Sequence, residues 1–201
     1  LQGGAGAIEA LLDEPAAAPC GTVVIAHPHP LFGGTMTNKV VQTLARAFVQ
    51  AGWRAVRFNF RGVGASEGVY DEGHGEAADM RQVIGQVAPE GALAVAGFSF
   101  GAFVTSHAVA GMAPRQPEKI VLVGTAASRF EVAPIAAELH ERTLVLHGEQ
   151  DDTVALASVM DWARPQSLPV TVIPGVEHFF HGQLPLLKSL VLRHLRAPLQ
   201  A

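Results

Sequence analysis

The chain has 201 residues, 49% of them hydrophobic and 16% charged, with a formal net charge of −4 at pH 7. That length suits one domain of ordinary size with a real core, and the mildly acidic balance, with Lys and Arg scattered, leaves no electrostatic footprint for nucleic acid. The lone cysteine, Cys20, excludes an internal disulfide and a multi-cysteine metal site and favours a reducing compartment, and no apolar run reaches the length of a membrane span.

Leu1 to Ala10 lack the basic flank and long apolar stretch of a secretory signal, so a cytoplasmic location is expected. The chain starts at Leu1 and not at Met, the form of a trimmed or mature polypeptide. Ile8 to Leu12 reads as an antiparallel edge strand. Thr22 to Ala26 is a short continuous apolar run, the pattern of a strand covered on both faces. The next segment, His27-Pro28-His29-Pro30-Leu31-Phe32-Gly33-Gly34, is stiffened by its prolines. Pro28 and Pro30 have no N–H, which leaves His29 as the natural backbone donor of this loop. A metal site on His27 and His29 is the sharper alternative, but no further ligand cluster accompanies them, so no metal is expected.

Asn38 to Ala51 places Val40, Val41, Leu44, Phe48 and Ala51 on one helical face, and the strand Ala55 to Phe58 follows. Gly64-Ala65-Ser66-Glu67-Gly68 then fits the pattern Gly-x-Ser-x-Gly. It lies between the breaker-rich Arg61 to Gly64 and more loop at Tyr70 to Gly73, with no helix to orient a hydroxyl. The helix-period segment Glu76 to Val87 leads to the strand Leu93 to Ala96. Here Gly97-Phe98-Ser99-Phe100-Gly101 repeats the pattern between a strand and a helix-like run, Gly101 to Met112, which is the setting of a nucleophile elbow. Ser99, and not Ser66, is therefore the candidate nucleophile. The backbone N–H of Phe100, at the positive end of the helix, is one candidate donor to a developing oxyanion, and that of His29 is the other.

The strands Ile120 to Val123 and Thr143 to Leu146 come next, followed by His147-Gly148-Glu149-Gln150-Asp151-Asp152-Thr153-Val154. A helix over Val154 to Trp162 and a strand over Val170 to Ile173 precede Pro174-Gly175-Val176-Glu177-His178-Phe179-Phe180-His181. The last helix, Leu184 to Leu195, carries Leu184, Leu187, Val191 and Leu195 on one stripe. Strands alternating with helices of this length imply an α/β fold, a doubly wound, mostly parallel sheet with helices on both faces and ligands beyond the carboxyl ends of its strands.

A serine hydroxyl is a poor nucleophile at neutral pH and needs a base with an acid to orient it. The elbow template orders these groups as Ser, then Asp or Glu, then His. Asp151 stands third after the strand-ending glycine and is the candidate acid, while Asp152 is placed to cap the helix near Val154. His178 follows the last strand through a glycine and is the candidate base, with His181 as runner-up. His147 is read as the anchor of a strand end, His107 as part of the helix after the elbow, and His74, His140 and His194 as surface or loop positions, all of them structural. Phe32, Phe98 and Phe179 are candidates to line a substrate pocket, core packing being the competing reading.

These motifs together resemble the α/β-hydrolase superfamily, in particular its small bacterial branch with a His-Pro-His-Pro loop and no lid. The resemblance rests on His27 to Pro30 with Gly33-Gly34-Thr35-Met36 and Asn38-Lys39-Val40, on Arg57-Phe58-Asn59-Phe60-Arg61-Gly62 with Gly64 and Ser66, on Gly97 to Gly101, and on His178-Phe179-Phe180. It implies that residues 1–201 form a single α/β-hydrolase domain with no cap, on an eight-stranded sheet that is short of one strand here. It also implies hydrolysis of carboxylic esters, short-chain ones because little sequence is left to build a cap, without a cofactor. The branch is similar to carboxylesterases and to dienelactone hydrolases, departing from the latter in having serine where they have cysteine. A thioesterase, a peptidase, an acyltransferase or a non-catalytic module would use the same frame.

Overall fold

The computed structural model describes residues 1–197. A two-stranded ribbon, β1 (Gln2–Gly3) and β2 (Gly6–Ala7), precedes seven strands of one sheet: β3 (Ala10–Asp13), β4 (Thr22–Ala26), β5 (Arg54–Phe58), β6 (Leu93–Phe98), β7 (Lys119–Val123), β8 (Thr143–Gly148) and β9 (Val170–Ile173). Their order is β3-β5-β4-β6-β7-β8-β9, with β3 antiparallel to β5 and every other pairing parallel. The expected edge strand near Ile8 is present two residues later and supplies the one antiparallel pairing of this sheet.

The short apolar runs fold as strands because both sheet faces are covered. Along β4, Val24 and Ala26 enter one core and Val23 and Ile25 the other. The first core packs under α2 (His74–Val87), α3 (Phe100–Ala110) and α4 (Leu156–Ala163), the second under α1 (Lys39–Gln50) and α5 (Leu184–Arg196). Helix α1 starts where Asn38 accepts the Val40 N–H at 2.9 Å, a side-chain cap that satisfies an otherwise orphaned donor. No helix among the described residues is long and apolar enough to cross a membrane.

The chain runs outward from β4 to β5 and then returns to the other side of β4 as β6. The direction of winding therefore reverses beside β4, and the crevice beyond its carboxyl end is where such sheets hold ligands. The motif Arg57 to Gly62 braces this crevice. Arg57 donates to the Met36 carbonyl at 3.1 Å and pairs with Asp13 at 2.8 Å, and the Asn59 side-chain Oδ1 accepts the Met36 N–H at 2.9 Å. The Phe60 N–H donates to His27 Nε2 at 3.0 Å, and His27 Nδ1–H donates to the Pro28 carbonyl at 2.6 Å. Ser66 is buried in the same brace, donating to the Asn59 carbonyl at 2.8 Å and accepting the Glu9 N–H at 3.0 Å, so the second Gly-x-Ser-x-Gly is structural.

His27 and His194 are both held neutral. Burial lowers His27 to about 4. Burial first, then the positive charge of Lys119, lowers His194 to about 4. His194 was expected at the surface, but it sits half-buried on α5 and bonds the Arg142 carbonyl at 3.1 Å. Below about pH 6.5 the unfolded chain takes up protons at these rings and the folded chain does not, so stability falls with falling pH until about pH 4. Each ring should withdraw about 3 kcal/mol across that window. A urea midpoint that declines from pH 7 to pH 4 is expected; a flat one would contradict it.

Candidate active site

Ser99 stands at the junction of β6 and α3 with φ 57° and ψ −117°, a backbone conformation that L-residues rarely adopt. The turn is that tight because its glycines touch other backbone. A Cβ on Gly97 would overlap the Gly101 carbonyl, and a Cβ on Gly101 would overlap the Ala26 carbonyl of β4. The Ser99 N–H is tied to Val123 of β7 at 2.8 Å. The sheet thus fixes the serine from both sides.

The β8 and β9 loops bring the remaining groups to it. His178 Nε2 lies 3.0 Å from Ser99 Oγ, and His178 Nδ1–H donates to Asp151 Oδ2 at 2.6 Å. With the Nδ1 hydrogen committed to a carboxylate, Nε2 is the acceptor and the serine hydroxyl donates to it. Asp151 Oδ1 accepts the Thr153 and Val154 N–H groups at 3.0 and 2.7 Å. Burial pushes the Asp151 carboxyl up, but the His178 bond and charge, the Val154 N–H and His147 outweigh it and hold the group below its usual range. The two loops are cross-linked, Gln150 N–H donating to Val176 O at 2.9 Å and Gly175 N–H to Glu149 at 2.9 Å.

Of the competing pairs, the structure brings Asp151 to the serine, not Asp152, and His178, not His181. Asp152 does not cap a helix: its carboxylate accepts only the Thr153 hydroxyl at 3.3 Å, and α4 begins later, at Leu156. Asp151 takes the turn N–H groups instead. His181 is exposed and pairs with Glu177 at 3.0 Å. His147 is buried beside the acid, its Nε2–H donating to the Val154 carbonyl at 2.9 Å and lying 3.6 Å from Asp151. Burial lowers its affinity for a proton, partly opposed by Asp151.

Among the described residues, neither the Phe100 N–H nor the His29 N–H is bonded to a protein acceptor. The His29 ring accepts the Leu31 N–H at Nδ1 (3.2 Å) and meets the Tyr70 hydroxyl at Nε2 (3.3 Å). It packs between Phe32, Tyr70, Phe100 and Phe130, and burial, then the charge of Arg129, disfavours its protonation. A cleft of about 240 Å³ lies over these groups, lined by Pro28, His29, Phe32, Gly33, Gly34, Asn38, Ser99, Arg129, Thr153, His178 and Phe179.

Phe32 and Phe179 thus line the cleft, and Phe98 does not. Its ring is fully buried, 4.9 Å from the His178 ring, because strand alternation turns it into the α1 and α5 core. Gly124 and Arg129 escaped the sequence reading. Gly124 follows β7 at φ 54°, and a Cβ there would press on His178 at 3.1 Å, a role its place after a parallel strand could have signalled. Arg129 sits in irregular chain with no motif around it.

Residues 8–134 match the family model described as X-Pro dipeptidyl-peptidase (S15 family). The chain belongs to that family and, with it, to the α/β serine hydrolases. This serine hydrolase is similar to XC6422 of Xanthomonas campestris, an α/β serine hydrolase without a lid: 32% identity, 100% of this chain and 94% of that one covered, TM-score 0.87. It is likewise similar to an α/β serine hydrolase homologue from Coxiella burnetii, at 36% identity over 97% of this chain and 95% of that one, TM-score 0.82. The protein RP471 of Rickettsia prowazekii is 29% identical over 78% of the hydrolase and 71% of its own length. The expected lidless α/β-hydrolase fold is therefore the fold of this chain, on a sheet of seven strands.

The elbow glycines make a sharp test of these contacts. Gly101→Ala should cost about 1–3 kcal/mol of stability through overpacking. Gly85→Ala, at an exposed position of α2 with open space around it, should stabilise by about 0.5–1 kcal/mol. Denaturant unfolding of the two variants checks both signs.

Proposed function

We propose that the protein hydrolyses carboxylic esters through an acyl-serine intermediate, with Ser99 as nucleophile, His178 as general base and Asp151 as the acid that orients it. The observation that carries this reading is the unbroken hydrogen-bond chain Asp151–His178–Ser99 opening into the cleft. Ser99 Oγ attacks the ester carbonyl while Nε2 takes its proton, and Asp151 stabilises the imidazolium. The N–H groups of Phe100 and His29 receive the oxyanion, and being unbonded they need no rearrangement to do so. Nε2 then returns the proton to the departing alcohol, and water repeats the sequence on the acyl-enzyme. No step calls for a cofactor or a metal.

A cleft of about 240 Å³, smaller than most drug-sized sites, favours short acyl chains between Phe32 and Phe179. The partner is then a small-molecule ester, and the shared sheet and cores support reading the described residues as one hydrolase domain. A cytoplasmic location fits the lone cysteine, Cys20.

The family's description favours a second reading, cleavage of peptides. Dipeptidyl cleavage requires that a free ammonium be held near the serine. Among the described residues no acidic side chain lines the cleft, and its one permanent charge is the cationic Arg129. Electrostatics therefore favours the ester reading. Thioesters, or transfer to an alcohol, would use the same groups.

A fluorophosphonate probe should label Ser99, and Ser99→Ala should lose both labelling and turnover of para-nitrophenyl acetate, by about 10⁴ to 10⁶. Asp151→Asn should cost on the order of 10⁴ in rate by favouring the wrong ring tautomer. Retained turnover in Ser99→Ala would falsify the nucleophile. A higher kcat/KM for Gly-Pro-para-nitroanilide than for the ester would decide for the peptidase.

A further inference from the structure

Arg129 is the one permanently charged side chain among the eleven residues that line the cleft. It lies in the segment after β7, where the next residue holds it in place: Phe130 stacks on Phe103 at 4.7 Å and 19° and packs edge-on against Phe100 at 5.2 Å. The Arg129 N–H donates to the Ala126 carbonyl at 3.2 Å, closing a tight turn. Its guanidinium carbon sits 5.9 Å from the centre of the Phe32 ring, within the range of a cation–π contact. Through these contacts the guanidinium faces the cleft that holds Ser99 and His178.

What this cation lacks is a counter-charge. Arg57 and Arg61 pair with Asp13 and Asp79, each at 2.8 Å, and the half-buried Arg81, Arg115 and Arg142 donate to backbone carbonyls, whereas Arg129 is exposed at the cleft. Among the described residues Arg129 has neither an ion pair nor a side-chain hydrogen bond. Glu72 and Glu131 line the neighbouring hollow, yet neither pairs with it. The cleft itself offers no carboxylate. An arginine fork presents two parallel N–H groups that match a carboxylate, and its charge makes each bond stronger than a neutral one.

We propose that Arg129 selects substrates carrying a carboxylate close to the scissile ester, so that the preferred class is an ester of a dicarboxylic acid half or of a hydroxy acid. The inference rests on the esterase reading above and names the substrate class of the same site.

Two matched substrate pairs test it. Para-nitrophenyl hemisuccinate and para-nitrophenyl isocaproate differ by a carboxylate on the acyl side; para-acetoxybenzoate and para-tolyl acetate differ by one on the leaving group. The quantity read is the ratio of kcat/KM, charged over neutral, for wild type and for Arg129→Gln, Arg129→Lys and Arg129→Glu. In one pair the ratio should fall on the order of 10- to 100-fold in Arg129→Gln, be partly restored in Arg129→Lys and fall further in Arg129→Glu. The pair that responds tells which side of the ester faces Arg129. Ratios unchanged by all three substitutions overturn the proposal while leaving the esterase reading intact. Failure of the wild type to turn over any of the four esters overturns both.

Discussion

A steric constraint governs the site: between β6 and α3 the chain has no room for a side chain at Gly97 or Gly101, because each lies against a carbonyl of the surrounding backbone. That closeness forces Ser99 into its positive-φ conformation, and the N–H bond from Ser99 to Val123 locks it. The strain is held by two central strands and a largely buried helix, so it has no route to relax without opening the core. Placing the hydroxyl beyond the strand ends, where the winding of the sheet reverses, follows from this one turn. The His178 ring then fits only because β7 ends in Gly124.

The loops around the serine are bound mainly to one another. His27 and Asn59 fasten the loop that presents the His29 N–H, through bonds to Phe60 and Met36. The β8 and β9 loops share the Gln150–Val176 and Gly175–Glu149 bonds, so acid and ring move as a unit. On the proposed chemistry, such cross-bracing keeps donors and ring in place before the substrate arrives, which is where electrostatic stabilisation gains over water.

Much of this was legible in the sequence. The six apolar runs fold as strands nearly where their composition puts them, because all but the edge strand β9 are covered on both faces and the pattern is then a direct record of packing. The elbow was legible for a related reason: a serine between glycines is informative only with a strand before it and a helix after it, a context that Ser66 lacks. The direction of a side chain was harder to read. Phe98 lies one residue before the serine, but the pleat turns it inward, while Phe32 on its loop faces solvent and cleft together. That Asp151, and not Asp152, takes the N–H groups of the turn after β8 depended on where that turn points them. Arg129 left no signal, since its placement comes from Phe130 stacking on α3, a contact between segments far apart in order.

Helix α5 begins directly after the His178 loop and buries Leu187, Val191 and Leu192 against α1, while Lys119 at the start of β7 caps its final turn through the His194 and Ala197 carbonyls at 3.0 and 2.9 Å. The ring is thus steadied by a helix fastened along its apolar face to α1 and at its far end to β7. The serine is held by the sheet itself, the ring by this docked helix. On the proposed chemistry, loosening α5 alone would silence the molecule while its nucleophile stayed in place.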